Sequence, residues 1–175
     1  DADLGVFAAI AGILDSKGRF QGSLASIDVV GEATVPDFRL KNSGNPVPLK
    51  TQFEVRVDGT NGDTILKPVN GTLGTTTFTT SGAVIKRETD AHRMVTLDVT
   101  MPNGNLRDVL RLAMKGTPFM EGQLSLKTSI DVPPLDGKVR VTVLLRSTDD
   151  PAVVRSVKQA VERVEGVTDV RVEVK

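Results

Sequence analysis

The sequence predicts an α+β fold: a mostly antiparallel β-sheet with two short helices, followed by a β-α-β tail. Three observations carry this reading. Strict alternation of apolar and polar residues runs through the first three quarters of the chain, as half-buried antiparallel strands require. Helical spacing interrupts it at two places. After residue 137 the order changes to strand, helix, strand.

Taken from the start, DLGVFAAIAG reads as a short helix capped by Asp1 or Asp3, weakened by Gly5. Residues 19–25 and 27–35 follow as strands. In QFEVRVDG, Phe53, Val55 and Val57 point one way and Gln52, Glu54 and Arg56 the other. Residues 64–69 and 72–86 are further strands, the second rich in threonine. In MVTLDVTM, Val95, Leu97, Val99 and Met101 oppose Thr96, Asp98 and Thr100. NLRDVLRLAMKG then sets Leu106, Val109, Leu110 and Ala113 on one helical stripe, with Asn103 or Asn105 as N-cap and Gly116 past the end. QLSLKTSIDV alternates again through Leu124, Leu126, Ile130 and Val132.

PPLDG marks a linker, so residues 1–134 form a β-rich region, 135–137 the linker and 138–175 the tail. In the tail KVRVTVLLR is a strand. The helix that follows takes Asp149 or Asp150 as cap, Pro151 at its first position, a stripe of Val154, Val157, Val161 and Val164, and a stop at Gly166. VTDVRVEVK closes as a strand.

Composition removes several function classes. Lys plus Arg and Asp plus Glu each number 22, so no overall charge points to nucleic acid. Residues 1–137 hold 14 basic and 16 acidic side chains, net −2; residues 138–175 hold 8 and 6, net +2. With no cysteine there is no disulfide, thiolate site or cysteine nucleophile. Six Phe, with no Trp or Tyr, do not make the stacking platforms of single-strand binders. The longest apolar run, residues 4–14, is too short to span a bilayer, and lacks the basic flank of a signal peptide. A start at DADLG, without Met, looks like a fragment or processed product.

The most site-like stretch is VDGTNGDTIL, which gathers Asp58, Asn61 and Asp63 around two glycines. A calcium loop counted from Asp58 needs a glycine sixth and a glutamate twelfth, but finds Asp63 and Val69. A turn between strands accounts for the same residues, so we expect no metal there. His92, the single histidine, lies in the charged segment KRETDAHRM and has no partner motif for general-base work; an exposed loop histidine is the expectation. Arg107 and Arg111, four apart, could meet an anionic head group or form a solvated helix face. No nucleophile, metal or phosphate-loop pattern is present, so no catalytic residue, metal or cofactor is assigned and no enzyme is expected. Several strands do present a broad apolar face with few aromatics and helices to cover it. Apolar surface of that extent marks a binding site unless the helices close it.

The order of AAIAGILDSKGRFQGSL, IDVVGEATVPDFRL, GNPVPLKTQFEVRVDGTNGDTILKPV, GTLGTTTFTTSGAVI and LDVTMPNGNLRDVLRLAMKGTPFMEGQLSLKTSIDVPP resembles the C-terminal region of bacterial AsmA-like proteins, over about residues 4–134. That resemblance implies a curved sheet with an apolar groove, in a cell-envelope protein of the periplasm tethered to the inner membrane through segments not present in this chain. It implies phospholipid or another lipid as partner, moved between membranes towards the outer membrane, and the remainder of a longer envelope protein as the groove's continuation. No catalytic residues and no nucleic acid come with it. On this reading the lipid-binding residues are Phe53, Val55, Val57, Val95, Leu97, Val99, Leu124 and Leu126, though the same alternation could describe a closed core. A structural or interaction module of the envelope is the alternative. The tail, 138–175, resembles part of a BON domain through its helix and GV-x-x-V ending, and also half of a ferredoxin-like fold.

Overall fold

A computed structural model describes residues 1–6, 10–41, 44–86, 93–118, 121–132, 139–146, 151–163 and 167–174. The chain is mostly β. Among the described residues its twelve strands are β1 (Ala2–Asp3), β2 (Ile10–Ala11), β3 (Ile13–Ser23), β4 (Ser26–Val35), β5 (Arg39–Leu40), β6 (Leu49–Val57), β7 (Thr64–Leu73), β8 (Thr76–Lys86), β9 (Arg93–Asn105), β10 (Gln123–Val132), β11 (Val139–Arg146) and β12 (Val167–Val174). The same residues form two α-helices, α1 (Leu106–Ala113) and α2 (Pro151–Glu162).

Ten strands form one sheet in the order β1-β3-β4-β6-β7-β8-β9-β10-β11-β12, while β2 and β5 form a separate pair. Every neighbouring pair is antiparallel except β11 and β12, which are parallel and joined through α2. A parallel pair needs such a crossover, and a helix supplies it. The expected linker, 135–137, lies outside the described residues, as do the Asp149, Asp150, Val164 and Gly166 helix signals.

Two expectations about elements are corrected. DLGVFAAIAG does not form the short α-helix expected of it. Among its described residues, β1 is followed by a single 3-10 turn, Leu4–Val6, and then β2. Asp3 does cap, its Oδ1 accepting the Gly5 N–H at 2.7 Å, but what it caps is a 3-10 turn. The Leu4 N–H instead donates to the Gly12 carbonyl at 2.9 Å. A segment this short does not recover the cost of helix nucleation, and strand pairing takes its ends. The second correction is the break between strands near residue 70. β7 runs through Asn70 and Gly71 to Leu73, and the turn falls at Gly74, where φ is +60°. Only that position supplies the left-handed backbone the hairpin needs.

Gly71 stays in the strand because an aromatic ring lies over it. A Cβ there would sit 2.4 Å from Phe78 Cζ on the paired position of β8. Gly31 is covered likewise by Phe53, its partner on β6. The rings replace the side chains these glycines lack, and bring the backbones of neighbouring strands close.

The core lies at one end and one edge of the sheet. Val47, Leu73, Phe78 and Met101 form a buried cluster against Val109 and Leu112 of α1, with Phe38 alongside. Leu106 and Leu110 of α1 meet Leu124 of β10. At the C-terminal edge Val157 of α2 meets Val141 and Val143 of β11, flanked by Leu126, Ile130, Val154 and Val161. Val154, Val157 and Val161 of the α2 stripe therefore do what their spacing predicts.

Candidate functional site

Directly paired residues on neighbouring strands lie on the same face of a sheet, so the register settles which side chains share a side. One row runs Phe20, Val29, Val55, Leu66, Gly82, Leu97, Ile130, Val141 across eight strands. The row above it runs Ile27, Val57, Thr64, Val84, Val95. The row below contains Gly31 with Phe53, and Val69, Thr80, Val99, Thr128 and Val143. Bulges on β7, between Leu66 and Val69, and at the β9–β10 pairing between Leu124 and Leu126 keep the apolar parity from row to row.

All eight residues singled out above therefore lie on one face, but not in one environment. Leu124 is 5 % exposed beneath Leu106 and Leu110 of α1. Leu126 packs against all three core clusters. Val99 packs at the margin of the cluster under α1. Phe53, Val55, Val57 and Leu97 are half-buried, and Val95 is 38 % exposed. The helices thus take the lower rows, and among the described residues no element lies over the upper rows from β4 to β9. Phe20 extends this surface to the sheet edge at 80 % exposure.

The opposite face is polar. Arg56 Nε donates to Asp28 Oδ1 at 3.0 Å on directly paired positions of β6 and β4. That hydrogen bond, reinforced by the positive charges of Arg56 and Lys67, holds the Asp28 carboxyl below its usual value. Lys67 pairs with Glu54, which faces Val30 in the neighbouring row. Two open depressions of about 570 and 580 Å³ draw most of their lining from this polar side, including Glu32, Gln52 and Lys17.

The loop at 58–63 is a turn held by its own side chains. Asp58 Oδ1 accepts from the Thr60 N–H at 2.9 Å and from the Thr60 hydroxyl at 2.5 Å, which lowers its pKa. Asn61 Oδ1 accepts from the Asp63 N–H at 2.7 Å, and Asp63 Oδ1 receives the Lys86 N–H and Arg93 Nη1. Gly62 has φ +77°. Among the described residues no group of three or more His, Asp or Glu side chains could hold a metal ion. Arg107 is engaged by Glu121, and Arg111 Nη2 donates to the Pro46 carbonyl at 3.5 Å, so both meet the protein's own acceptors. His92 lies outside the described residues.

One cluster was not read from the sequence. Asp108, in the first turn of α1, is 7 % exposed. Its Oδ2 accepts from the Thr75 N–H at 2.8 Å, the Thr75 hydroxyl at 2.7 Å and the Thr76 hydroxyl at 3.0 Å. Thr76 Oγ1 accepts the Asn105 N–H at 2.9 Å, and Asn105 caps α1 by accepting the Arg107 N–H at 3.0 Å. The Asn-x-x-Asp spacing resembles a capping box, which was the available signal. The acid instead reaches across to the β7–β8 turn and fastens α1 to the end of the sheet.

No helix among the described residues is long and apolar enough to cross a membrane. Comparison with protein-family models, curated proteins and solved structures finds no match.

Proposed function

We propose that this chain is a lipid-groove segment of an AsmA-like cell-envelope protein, working without catalysis in the periplasm beside the remainder of a longer polypeptide. The single observation that supports the reading is the uncovered upper part of the apolar face, several strands wide and continuous from row to row. Acyl chains would lie against Phe53, Val55, Val57, Val95 and Leu97, gaining about 0.8 kcal/mol for each methylene removed from water. Leu124, Leu126 and Val99 back this surface from the side of α1. On this reading the sheet is curved around the lipid, residues 1–134 are the groove region, and the tail is a BON-like or half ferredoxin-like addition that closes one edge.

A second reading, a ligand-free interaction module, draws on the polar side, where the two large depressions lie. Native mass spectrometry of the protein purified from bacteria, with lipid extraction of the same sample, separates the two. The groove predicts co-purified phospholipid near one equivalent, reduced at least fivefold by Val95→Asp with the far-UV circular dichroism unchanged. A lipid-free monomer that also fails to take up added phospholipid overturns the groove and leaves the module.

A further inference from the structure

We propose that the outer edge of β3 is a docking site for an extended strand of alternating apolar and acidic residues, laid antiparallel to it as a continuation of the β1 ladder. The inference does not depend on the lipid reading.

The edge is incomplete in a specific way. β3 runs from Ile13 to Ser23, but β1 pairs only with its first two residues, Ala2 with Leu14 and Asp3 with Ile13. Among the described residues β3 pairs from Asp15 to Ser23 on its β4 side alone, and all nine residues are exposed. On a free antiparallel edge every second residue directs its N–H and C=O outward, where they template another strand. The β1 pairing also sets direction and register: a strand continuing that ladder, antiparallel to β3, starts opposite Ser23 and ends opposite Asp15.

Side chains specify what such a strand carries. On the apolar face Phe20 stands at the rim, 80 % exposed, at the end of the row that includes Val29 and Val55. An apolar residue opposite Phe20 would extend that row. On the polar face Lys17 and Arg19 alternate along the edge, and among the described residues neither forms an ion pair. Acidic residues placed directly across would pair with both, as opposite charges on facing positions do. A second copy of this chain is the poorer occupant. If β3 paired with itself antiparallel about residue 18, Lys17 would face Arg19 twice, and about residue 19 Arg19 would face Arg19; about residue 17 Lys17 would face Lys17, though Arg19 would then face Asp15. Cations on an edge ordinarily guard it against like strands. The same pair admits an acidic one.

The test is amide hydrogen exchange on the full chain with a synthetic eight-residue peptide, alternating valine and glutamate, aligned to residues 16–23. The expected result is at least tenfold slowing of alternate amides between Ser16 and Ser23, with β12 unchanged. A peptide with lysine in place of glutamate should bind at least tenfold more weakly, and Lys17→Glu with Arg19→Glu should reverse that preference. No slowing at millimolar peptide, equal slowing by both peptides, or a concentration-dependent dimer formed through β3 without peptide would each overturn the proposal. Both residues are exposed, so the charge-reversed chain keeps its fold, checked by its circular dichroism.

Discussion

Replacing Asp108 by alanine should be among the most destabilising single changes in the chain. The carboxylate accepts three hydrogen bonds, two from Thr75 and one from Thr76, whose side chain is 1 % exposed. Hydrogen bonds to a charged group contribute about 1.5–3 kcal/mol, and leaving a buried donor without a partner costs about 1–3 kcal/mol. Water can reach part of the turn, so the sum does not apply in full, and we expect about 3 kcal/mol. An acid in the first helical turn adds a few tenths of a kcal/mol through the helix dipole. Without Trp or Tyr, intrinsic fluorescence is a poor probe, so urea unfolding is best followed by far-UV circular dichroism. With a slope of about 2 kcal/mol per molar urea, the midpoint should fall by about 1.5 M. Asp108→Asn keeps the shape and one acceptor oxygen, and should lose about half as much. The double change Asp108→Ala with Thr76→Val should cost less than the two single losses together, by about 1 kcal/mol, because both single losses include the same Thr76–Asp108 hydrogen bond. A midpoint shift under about 0.25 M for Asp108→Ala, or strict additivity with Thr76→Val, would refute the view that this carboxylate fastens α1 to the sheet.

Two more outcomes follow from the geometry. Asp28 and Asp58 both have carboxyl pKa values held below the ordinary 3.8, Asp28 by the Arg56 hydrogen bond and Asp58 by the Thr60 hydroxyl and N–H. A lowered folded-state pKa gives stability that is present above 3.8 and lost as pH falls through the folded value, so the stabilisation should fade only below about pH 4. In a carbon-detected NMR titration Arg56→Gln should move the Asp28 midpoint upward and leave Asp58 in place; no movement of Asp28 would sink the assignment. Gly31→Ala should destabilise by more than about 2 kcal/mol, since the new Cβ would meet the Lys17 carbonyl oxygen at 2.2 Å and Phe53 Cζ at 2.4 Å. Gly116→Ala, at φ +94° with nothing within 4 Å, should cost only about 1 kcal/mol of backbone strain, and equal losses in thermal unfolding would contradict the distinction.

Much of the architecture was legible in the residues because a strand reports its faces through a period of two. The alternation in QFEVRVDG, MVTLDVTM and QLSLKTSIDV assigned Phe53, Val95 and Leu124 to one side, and the register agrees. The α2 stripe and the cap of α1, expected at Asn103 or Asn105 and found at Asn105, were legible for the same kind of reason, a local period with a local stop. What escaped depended on distant parts of the chain. The N-terminal segment carries a helical composition, but its ends pair with β3 and β5. Alternation also could not tell Leu124 beneath α1 from Val95 in the open, since both belong to the same face and differ only in what lies above them. Asp108 finds its partners 32 and 33 residues away, beyond any local pattern.

The strand order has a consequence for how the molecule forms. Apart from the small β2–β5 pair, each strand of the large sheet adds beside one already made, from the N-terminal edge to the C-terminal one. Such pairings close short loops, so hairpins can nucleate independently and zip together without a slow search for remote partners. During synthesis each new strand meets its template as it emerges, and only β12 must wait for α2 to cross over. Nothing in this growth brings the two edges together. Its extent is set by the number of strands supplied, as a ribbon's length is set by where the weaving stops.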